Sequence, residues 1–445
     1  MKRTFGFLWQ IMMILLLLVS FTSKAQQQGS ITGGLNGEIS DSTGAVVPGA
    51  TVKLVGPQGT RVLTTSALGR YSITGLTPGF YDITVVKQGF KNVESKHNEV
   101  VVNNSSTLNL TMLPGSESET VEVNASAVAI DTQSTAVTTN LTDTFYNSVP
   151  MPRNVSAIFY AAPGVAGGQV AGTPNQNGPG ASNPSIGGAS ALENLYVVDG
   201  VTITDQAFGS IGTYNRYHGS LGTGINLAFI KEVDVKTTSF QPQYGKATGG
   251  IVQIVTKSGS NQYHGALGAY FQPKGFYASP YQFSQFGYTQ IAPTSILGSP
   301  QFDVAAEFGG YIPGFKDKLF FFGAFDPALT QTDNLANPNN AVTFAHGVYP
   351  YSATGLSWAG KLTYKLGSTT TIEASSFGDP SKHNTVPNSL STPDPLSVTT
   401  NYQYGSRDSV ARINTAITPT WVADVSYAYN YNHFNETLQI GRAHV

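Results

Sequence analysis

The chain has 445 residues, enough for two or three domains, and 11% of them are charged, against roughly 25% in an ordinary soluble domain. Its formal net charge of -2 argues against nucleic-acid binding, because displacing counterions from phosphates needs a basic face. The absence of cysteine excludes disulfide scaffolds, thiolate metal sites and cysteine nucleophiles.

The first 25 residues are typical of a secretory signal peptide. Lys2 and Arg3 give a positive start, an apolar run covers 11–21, and the expected cleavage site lies between Ala25 and Gln26. The run is short for a bilayer span, which leaves a retained single-helix anchor as the alternative. No other apolar run approaches about 20 residues, so membrane insertion of the remaining chain requires a closed barrel.

Residues 26–114 are predicted to form a small β-sandwich, because short alternating segments are separated by Gly and Pro turns. The motifs GAVVPGA at 44–50, GRY at 69–71 and LTPGFY at 76–81 resemble the carboxypeptidase regulatory-like domain, which is non-catalytic. Tyr71 and Tyr81 are expected to fill its core. His97 is the only histidine of the region and no HExxH pair is present, so we expect no peptidase activity.

Residues 115–259 begin with a polar linker and continue with several motifs in order. VPMPRN at 149–154, LYVVDGV at 195–201, IKEVDV at 230–235 and YGKATGG at 244–250 together resemble the plug domain of TonB-dependent receptors. The order of domains is similar to the Oar-like group. Alternating helices and strands predict an α/β fold, with a helix over Asn226–Val233 and a strand over Asp234–Thr238.

Residues 260–445 are predicted to start an antiparallel transmembrane β-barrel, which makes the whole chain mainly β. Long connections follow the first, third and fifth strands and short turns follow the second, fourth and sixth, as in outer-membrane barrels. The seven predicted strands are Tyr263–Phe271, Phe302–Tyr311, Lys318–Phe325, Ser357–Leu366, Thr370–Phe377, Asp408–Thr418 and Trp421–Phe434. One face of each of the fourth and seventh strands is apolar, and the third, apolar on both faces, is expected to pack against the plug.

Seven strands cannot close a barrel, since plugged transporters use about 22. We therefore expect the chain to be a fragment that contains the first part of the barrel. The end, Ile440–Val445, breaks the strand alternation and is interpreted as translated sequencing-adapter read-through.

The resemblance implies a TonB box, a segment that an inner-membrane partner binds by strand addition. The candidate is Thr120, Val121, Glu122 and Val123, which alternate in the linker before the plug. A plain linker or a closing strand of the sandwich explains the same residues.

The plug motifs contain eight candidate site residues. Charged groups inside a barrel should be paired, because burying one alone costs several kcal/mol, so we predict structural contacts between plug and wall rather than substrate binding. Gly249-Gly250 are predicted to form a tight turn. The eight residues are Arg153, Asp199, Gly200, Glu232, Tyr244, Gly249, Gly250 and Lys257.

The resemblance implies an energised outer-membrane receptor that imports a large or scarce substrate. Its expected partners are TonB with its inner-membrane complex and outer-membrane lipid, with the N-terminal domain in the periplasm. No catalytic residue, metal or cofactor is predicted, and the protein is not expected to be an enzyme. Two alternatives stay open: an Oar-like protein for protein export or surface adhesion, and a secreted carbohydrate-binding β-protein.

Overall fold

The computed structural model describes residues 31–116, 120–122, 137–151, 154–167, 183–215, 219–240, 244, 247–273, 275, 282–285, 288–291, 296–298, 300–335, 348–367, 369–385, 398–418 and 421–440. We call 31–122 the N-terminal domain, 137–256 the middle domain and 264–440 the C-terminal sheet. The predicted cleavage site at Ala25 and Gln26 lies outside the described residues, as do Val123, Arg153 and the segment 441–445.

The N-terminal domain is a β-sandwich. Its strands are β1 Gly33–Asp41, β2 Thr51–Gly56, β3 Gly59–Thr64, β4 Arg70–Leu76, β5 Gly79–Val86, β6 Asn92–Val100, β7 Ser105–Thr107, β8 Leu110–Met112 and β9 Thr120–Glu122. One sheet has the order β4-β1-β7, with β8 also on β1, and the other has the order β3-β2-β5-β6-β9.

The core of this sandwich follows from strand periodicity. In β2, Val52 and Leu54 are buried while their neighbours point to solvent, because successive side chains alternate between faces. Tyr71 and Tyr81 are buried, as predicted, and each hydroxyl is satisfied. The Tyr71 hydroxyl donates to the carbonyl of Leu108 at 2.7 Å, and that of Tyr81 donates to the carbonyl of Thr77 at 2.8 Å.

The middle domain is built around a mixed five-stranded sheet of order β10-β17-β18-β13-β14, in which the β13–β18 pair is parallel. Its elements are β10 Val137–Thr142, α1 Asp143–Ser148, α2 Val155–Phe159, β11 Val165–Ala166, β12 Ser185–Ile186, β13 Leu195–Val198, β14 Val201–Thr202, β15 Thr213–Asn215, β16 Gly219–Gly222, a 3-10 helix Leu227–Phe229, β17 Ile230–Thr238 and β18 Ile251–Thr256. Every residue of β13 and β18 is buried, as expected for central strands covered on both faces.

The helix predicted over Asn226–Val233 is wrong. A single 3-10 turn occupies Leu227–Phe229, and the strand starts at Ile230 rather than Asp234. The reason is tertiary, because this strand pairs with β10 on one side and β18 on the other along nearly its whole length. Two ladders of backbone hydrogen bonds outweigh the weak local preference for helix.

The C-terminal sheet is an antiparallel meander of order β19-β23-β24-β25-β26-β28-β29, and all seven predicted strands are confirmed. Between β25 and β28, β27 continues the line of β26, and β22 pairs with the end of β24. The strands are β19 His264–Gln272, β20 Gln282–Gln285, β21 Tyr288–Ile291, β22 Ile296–Gly298, β23 Gln301–Tyr311, β24 Leu319–Leu335, β25 Val348–Leu366, β26 Thr370–Gly378, β27 Ser381–Thr385, β28 Val398–Thr418 and β29 Trp421–Ile440.

The short connections lie where they were predicted, but the long ones are partly strand. β24, β25, β28 and β29 all continue well beyond their predicted ends, and β28 and β29 pair from Thr418–Trp421 to Val398–Ile440. The added segments contain many polar residues, so hydrophobic alternation gives little signal for them. Backbone pairing extends these strands.

The two faces of the C-terminal sheet differ in polarity. On β25, Leu362 and Tyr364 are exposed on the outer face, while Lys361 and Thr363 are buried on the inner face. The middle domain covers that inner face. Phe322 and Ala324 of β24 belong to the same apolar cluster as the middle domain's core, which confirms that this strand packs against it.

Among the described residues, no helix is long and apolar enough to cross a bilayer.

The exposed apolar outer face predicts contact with lipid. Replacing Leu362 by Arg should therefore oppose membrane assembly by about 2–4 kcal/mol, the cost of a cation facing the middle of a bilayer. Outer-membrane fractionation with heat-modifiable gel mobility measures assembly, and Leu362→Val is the matched control. Equal assembly of the Arg and Val variants would contradict a lipid-facing position.

Candidate functional site: the interface of the middle domain with its neighbours

Asp199 sits at the tip of the hairpin between β13 and β14. Asp199 and Gly200 have φ values of 47° and 86°, the left-handed pair that a tight two-residue hairpin needs. The turn aims the Asp199 carboxylate back at the end of β18. There it accepts hydrogen bonds from the Thr256 amide at 2.9 Å and the Thr256 hydroxyl at 2.5 Å.

This carboxylate also pairs with the C-terminal sheet. Lys361 Nζ lies 3.0 Å from Asp199 Oδ2 and donates to the carbonyl of Thr256 at 3.1 Å. The Lys361 side chain is 2% exposed and that of Asp199 is 0% exposed, so both charges are removed from water. Removing either partner would leave the other charge buried without its counter-ion, which is costly.

Lys361 begins a row of alternating charges across the inner face of the sheet. Glu373 Oε1 is 3.9 Å from Lys361 Nζ, Glu373 lies opposite Arg412 in the β26–β28 register, and Arg412 Nε is 3.5 Å from Asp424 Oδ1. A Cβ on Gly200 would overlap Nη2 of Arg412. Gly200 therefore serves both the hairpin's backbone conformation and the close approach of this guanidinium.

A second ion pair joins the two parts near the end of β18. Lys257 Nζ lies 2.8 Å from both carboxylate oxygens of Glu307 on β23, and both side chains are largely buried. The Lys257 amide donates to the carbonyl of Phe229, which fixes the chain as it leaves the middle domain. Of the four charged candidates predicted from sequence, Asp199 and Lys257 thus contact the sheet.

Several wall residues of this interface were not singled out from sequence. Asp379 accepts a hydrogen bond from the Gly224 amide at 2.8 Å, and Asp326 accepts one from the Asn226 side chain at 2.8 Å. Lys361 and Asp326 are buried on strands β25 and β24, and Asp379 is buried between β26 and β27, in a chain with little charge. Because charged residues are scarce, their presence on these strands could have marked them as contact residues. The sequence does not identify the partner of each one.

Tyr244, Gly249 and Gly250 contribute close packing and not ion pairs with the C-terminal sheet. Tyr244 is 1% exposed in a small cluster with apolar side chains of β13 and β18. A Cβ on Gly249 would lie 2.5 Å from Asn194 Oδ1, and one on Gly250 would overlap a methyl group of Ile186. These glycines permit close packing at the start of β18.

Glu232 faces the N-terminal domain instead of the C-terminal sheet. Both of its oxygens accept the Val102 amide, at 3.0 and 3.1 Å, and Oε1 also accepts the Asn140 side chain at 2.7 Å. Burial raises the pKa of Glu232 from its ordinary 4.5 to about 7, because desolvation outweighs the two hydrogen-bond donors; the neighbouring carboxylates of Asp234 and Glu99 add to the rise.

The box candidate is held in the N-terminal domain. Thr120, Val121 and Glu122 form β9, which pairs in parallel with β6 at the edge of the five-stranded sheet. Lys96 Nζ of β6 is 3.4 Å from a Glu122 oxygen, an exposed ion pair. The described part of the segment is therefore an extended strand already added to a sheet edge.

The interface holds the middle domain through polar contacts with both of its neighbours. Among the described residues, no group of three His, Asp or Glu side chains is placed to bind a metal ion. The polar groups named above pair instead with one another or with backbone atoms across domain boundaries. Such groups fix one docked position and can exchange their partners for water when the domains separate.

Two family models match the chain. The carboxypeptidase regulatory-like domain matches residues 34–113, and the TonB-dependent receptor plug domain matches residues 131–251. The TonB-dependent transporter Oar of Myxococcus xanthus is 31% identical over 282 residues, which cover 62% of this chain and 24% of the relative. This chain thus spans about a quarter of that relative's length. Both resemblances predicted from the sequence are confirmed.

Solved structures of low sequence identity also match. The outer membrane transporter YddB of Escherichia coli has a TM-score of 0.49 at 15% identity, over 67% of this chain and 39% of that one. The siderophore receptor PirA of Acinetobacter baumannii has a TM-score of 0.39 at 13% identity, over 67% and 48% of the two chains.

The buried Lys361–Asp199 pair predicts a large loss of stability when one partner is removed. Lys361→Met should lower the free energy of unfolding by about 3–5 kcal/mol, because Asp199 is left charged and buried. The double variant with Asp199→Asn should recover part of this loss. Denaturant titration of the purified protein measures both.

The exposed Arg70–Glu38 pair is the matched control for this measurement. Glu38→Gln should change the same free energy by about 0–1 kcal/mol. A Lys361→Met loss no larger than that of Glu38→Gln would show that the buried pair does not hold the interface.

The raised pKa of Glu232 predicts a pH dependence. The folded protein favours the protonated carboxyl, so this group's contribution is complete below about pH 4.5 and is lost as the pH rises through 7. The loss is on the order of 3 kcal/mol. Melting temperatures from pH 5 to 8.5 should fall less steeply in Glu232→Gln than in the wild type or in Glu38→Gln. Parallel slopes in all three proteins would rule out this titration.

Proposed function

We propose that the chain is part of a TonB-dependent receptor of the Oar-like kind, an energised outer-membrane importer of a large or scarce substrate; the plug-domain match, the regulatory-like domain match and the Oar relative support this proposal. The family is non-enzymatic, as predicted from the sequence. In this proposal the C-terminal sheet is the first part of the wall, and the middle domain blocks the passage until the inner-membrane partner displaces it.

The main support for the proposal is that the middle domain packs on the polar inner face of the C-terminal sheet. Two buried or largely buried ion pairs, Asp199–Lys361 and Lys257–Glu307, hold it there. The opposite face of the same strands is apolar and exposed. A sheet that is polar toward a packed domain and apolar toward the outside suits a lipid-embedded wall around a plug.

We propose Thr120–Val123 as the docking segment for TonB; Thr120–Glu122 form an edge strand of the sandwich, which is the alternative given in the sequence analysis, and in this proposal they leave β6 when TonB binds. A docking segment of this kind must be extended and must offer backbone groups to a sheet edge. Thr120–Glu122 already do both against β6. The segment precedes β10, the first strand of the middle domain, so a pull on it would reach the plug at its edge strand.

A second candidate function is protein export or surface attachment by an Oar-like member. The matched relative from Myxococcus xanthus is named a transporter, which leaves the direction of transport open. Import and export can be distinguished by comparing secreted protein and accumulated substrate in cells with and without the TonB partner. Secretion lost on deletion of the partner favours export. No finding supports carbohydrate binding.

We predict that Val121→Pro will weaken capture by the partner without affecting membrane insertion. Proline removes the backbone donor that strand addition needs and resists pairing in a sheet. The measurement is binding of the purified full-length receptor to the periplasmic domain of TonB, where the variant should bind at least roughly tenfold more weakly.

Val121→Thr is the control, because threonine keeps the amide donor and the strand preference. It should bind TonB as the wild type does. Unchanged binding by Val121→Pro would remove the box from this position, and loss of binding in both variants would indicate that the Val121 side chain, rather than its backbone, is recognised.

A further inference from the structure

Three elements from two domains meet around one buried carboxyl group. The loop after β6 presents Val102, whose amide donates to Glu232 of β17. Asn140 of β10 donates both to Glu232, at 2.7 Å, and to the carbonyl of Val102, at 3.3 Å. Asn140 therefore joins both sides of the boundary between the N-terminal and middle domains.

A second set of contacts extends this junction. Asn103, at φ 57°, donates its side-chain amide to Asp234 at 2.9 Å and to Gln253 at 2.5 Å. Asp234 is in turn paired with Lys236 at 2.8 Å. The loop 101–104 is thus seated on two neighbouring strands of the middle domain, β17 and β18.

Apolar packing adds to the contact between the loop 101–104 and the middle domain. Val102 is 0% exposed and clusters with Ile31 of its own domain and with Val255 of β18. Separation of the domains would expose Val102 and leave the Glu232 carboxyl without its backbone donor. The exposure of Val102 opposes separation, while water can replace the backbone donor of Glu232.

The position of β10 connects this junction to the linker. Within the described part of the chain, β10 is the edge strand of the middle-domain sheet and pairs with β17. It is also the first strand after β9 among the described residues. In the proposed function, a pull on the box candidate is passed along the chain to β10, the strand that carries Asn140.

We infer that the loop 101–104 is a latch that ties the N-terminal domain to the closed middle domain, and that removal of β10 opens it. The inference rests on the proposed function, because only a pull from the linker would remove β10. When Asn140 is removed, the Glu232 carboxyl and the Val102 carbonyl each lose the hydrogen bond that they accept from its side-chain amide. Removal of β10 therefore takes two hydrogen bonds from the latch at once, which lowers the cost of separating Val102 and Asn103 from β17 and β18.

The test uses the absence of cysteine from these 445 residues, so the same receptor without the introduced thiol gives the background rate of modification. Val102→Cys places it at the buried latch, and the rate of its modification by a maleimide in the purified full-length receptor reports latch opening. Adding Asn140→Ala should increase this rate roughly tenfold or more, as expected for losing hydrogen bonds to a buried polar group. Thr138→Ala, at an exposed position of the same strand, is the matched control and should leave the rate unchanged.

A second thiol, introduced in a separate variant, distinguishes latch opening from unfolding. Val52→Cys lies in the core of the N-terminal domain, away from the latch, and its modification should not respond to Asn140→Ala. An unchanged rate for the Val102→Cys thiol would overturn the latch. Equal acceleration at both thiols would overturn it as well, because Asn140 would then only stabilise the N-terminal domain.

The latch thiol also tests the proposed function separately. In cells, modification of Val102→Cys should be faster when the TonB partner is present than when it is deleted. A rate that responds to Asn140→Ala in the purified protein, but not to the partner in cells, would leave the latch standing and contradict energised displacement by TonB.

Discussion

The arrangement of the domains depends on where a small number of charged residues lie. Only 11% of the residues are charged, yet charged groups recur at the boundaries of the middle domain. A buried ion pair adds little net stability compared with an apolar contact, but leaving one of its charges unpaired is costly. Asp199 and Lys361 therefore act mainly by excluding every docked position in which they do not meet.

The two boundaries of the middle domain use different chemistry. Toward the C-terminal sheet, ion pairs surround a shared apolar core that includes Phe322 and Phe377. Toward the N-terminal domain, amides meet carboxyl groups, and the central one, Glu232, has a pKa raised to about 7 by burial. The second boundary is thus held by donors and acceptors that water can replace, and it adjoins the first strand after the linker.

Much of the fold was predictable from the sequence because it depends on local periodicity. Alternation located the seven main strands of the C-terminal sheet, and buried tyrosines such as Tyr71 were evident in the sandwich. Partners were not predictable: Asp199 and Lys361 are far apart in sequence, and only their registers on β13 and β25 bring them together. Glu232 was expected to face the wall but faces Val102, because the docking of separate domains leaves no local pattern. The helix expected at Asn226–Val233 failed because the spacing of its apolar residues also suits a paired strand.

The outer face of β29 also allows the height of its apolar band to be compared with the thickness of a bilayer. Its outward residues are apolar or aromatic from Trp421 to Tyr431 and polar from His433 onward. Ten residues rise about 34 Å along a strand, or roughly 26 Å across a bilayer at the usual tilt, which equals the height of a lipid-facing band. The paired strands continue beyond Tyr431, so in the proposed receptor they would rise roughly 20 Å above the hydrocarbon. An arriving molecule would then meet paired β-strands before it reaches the level of the membrane.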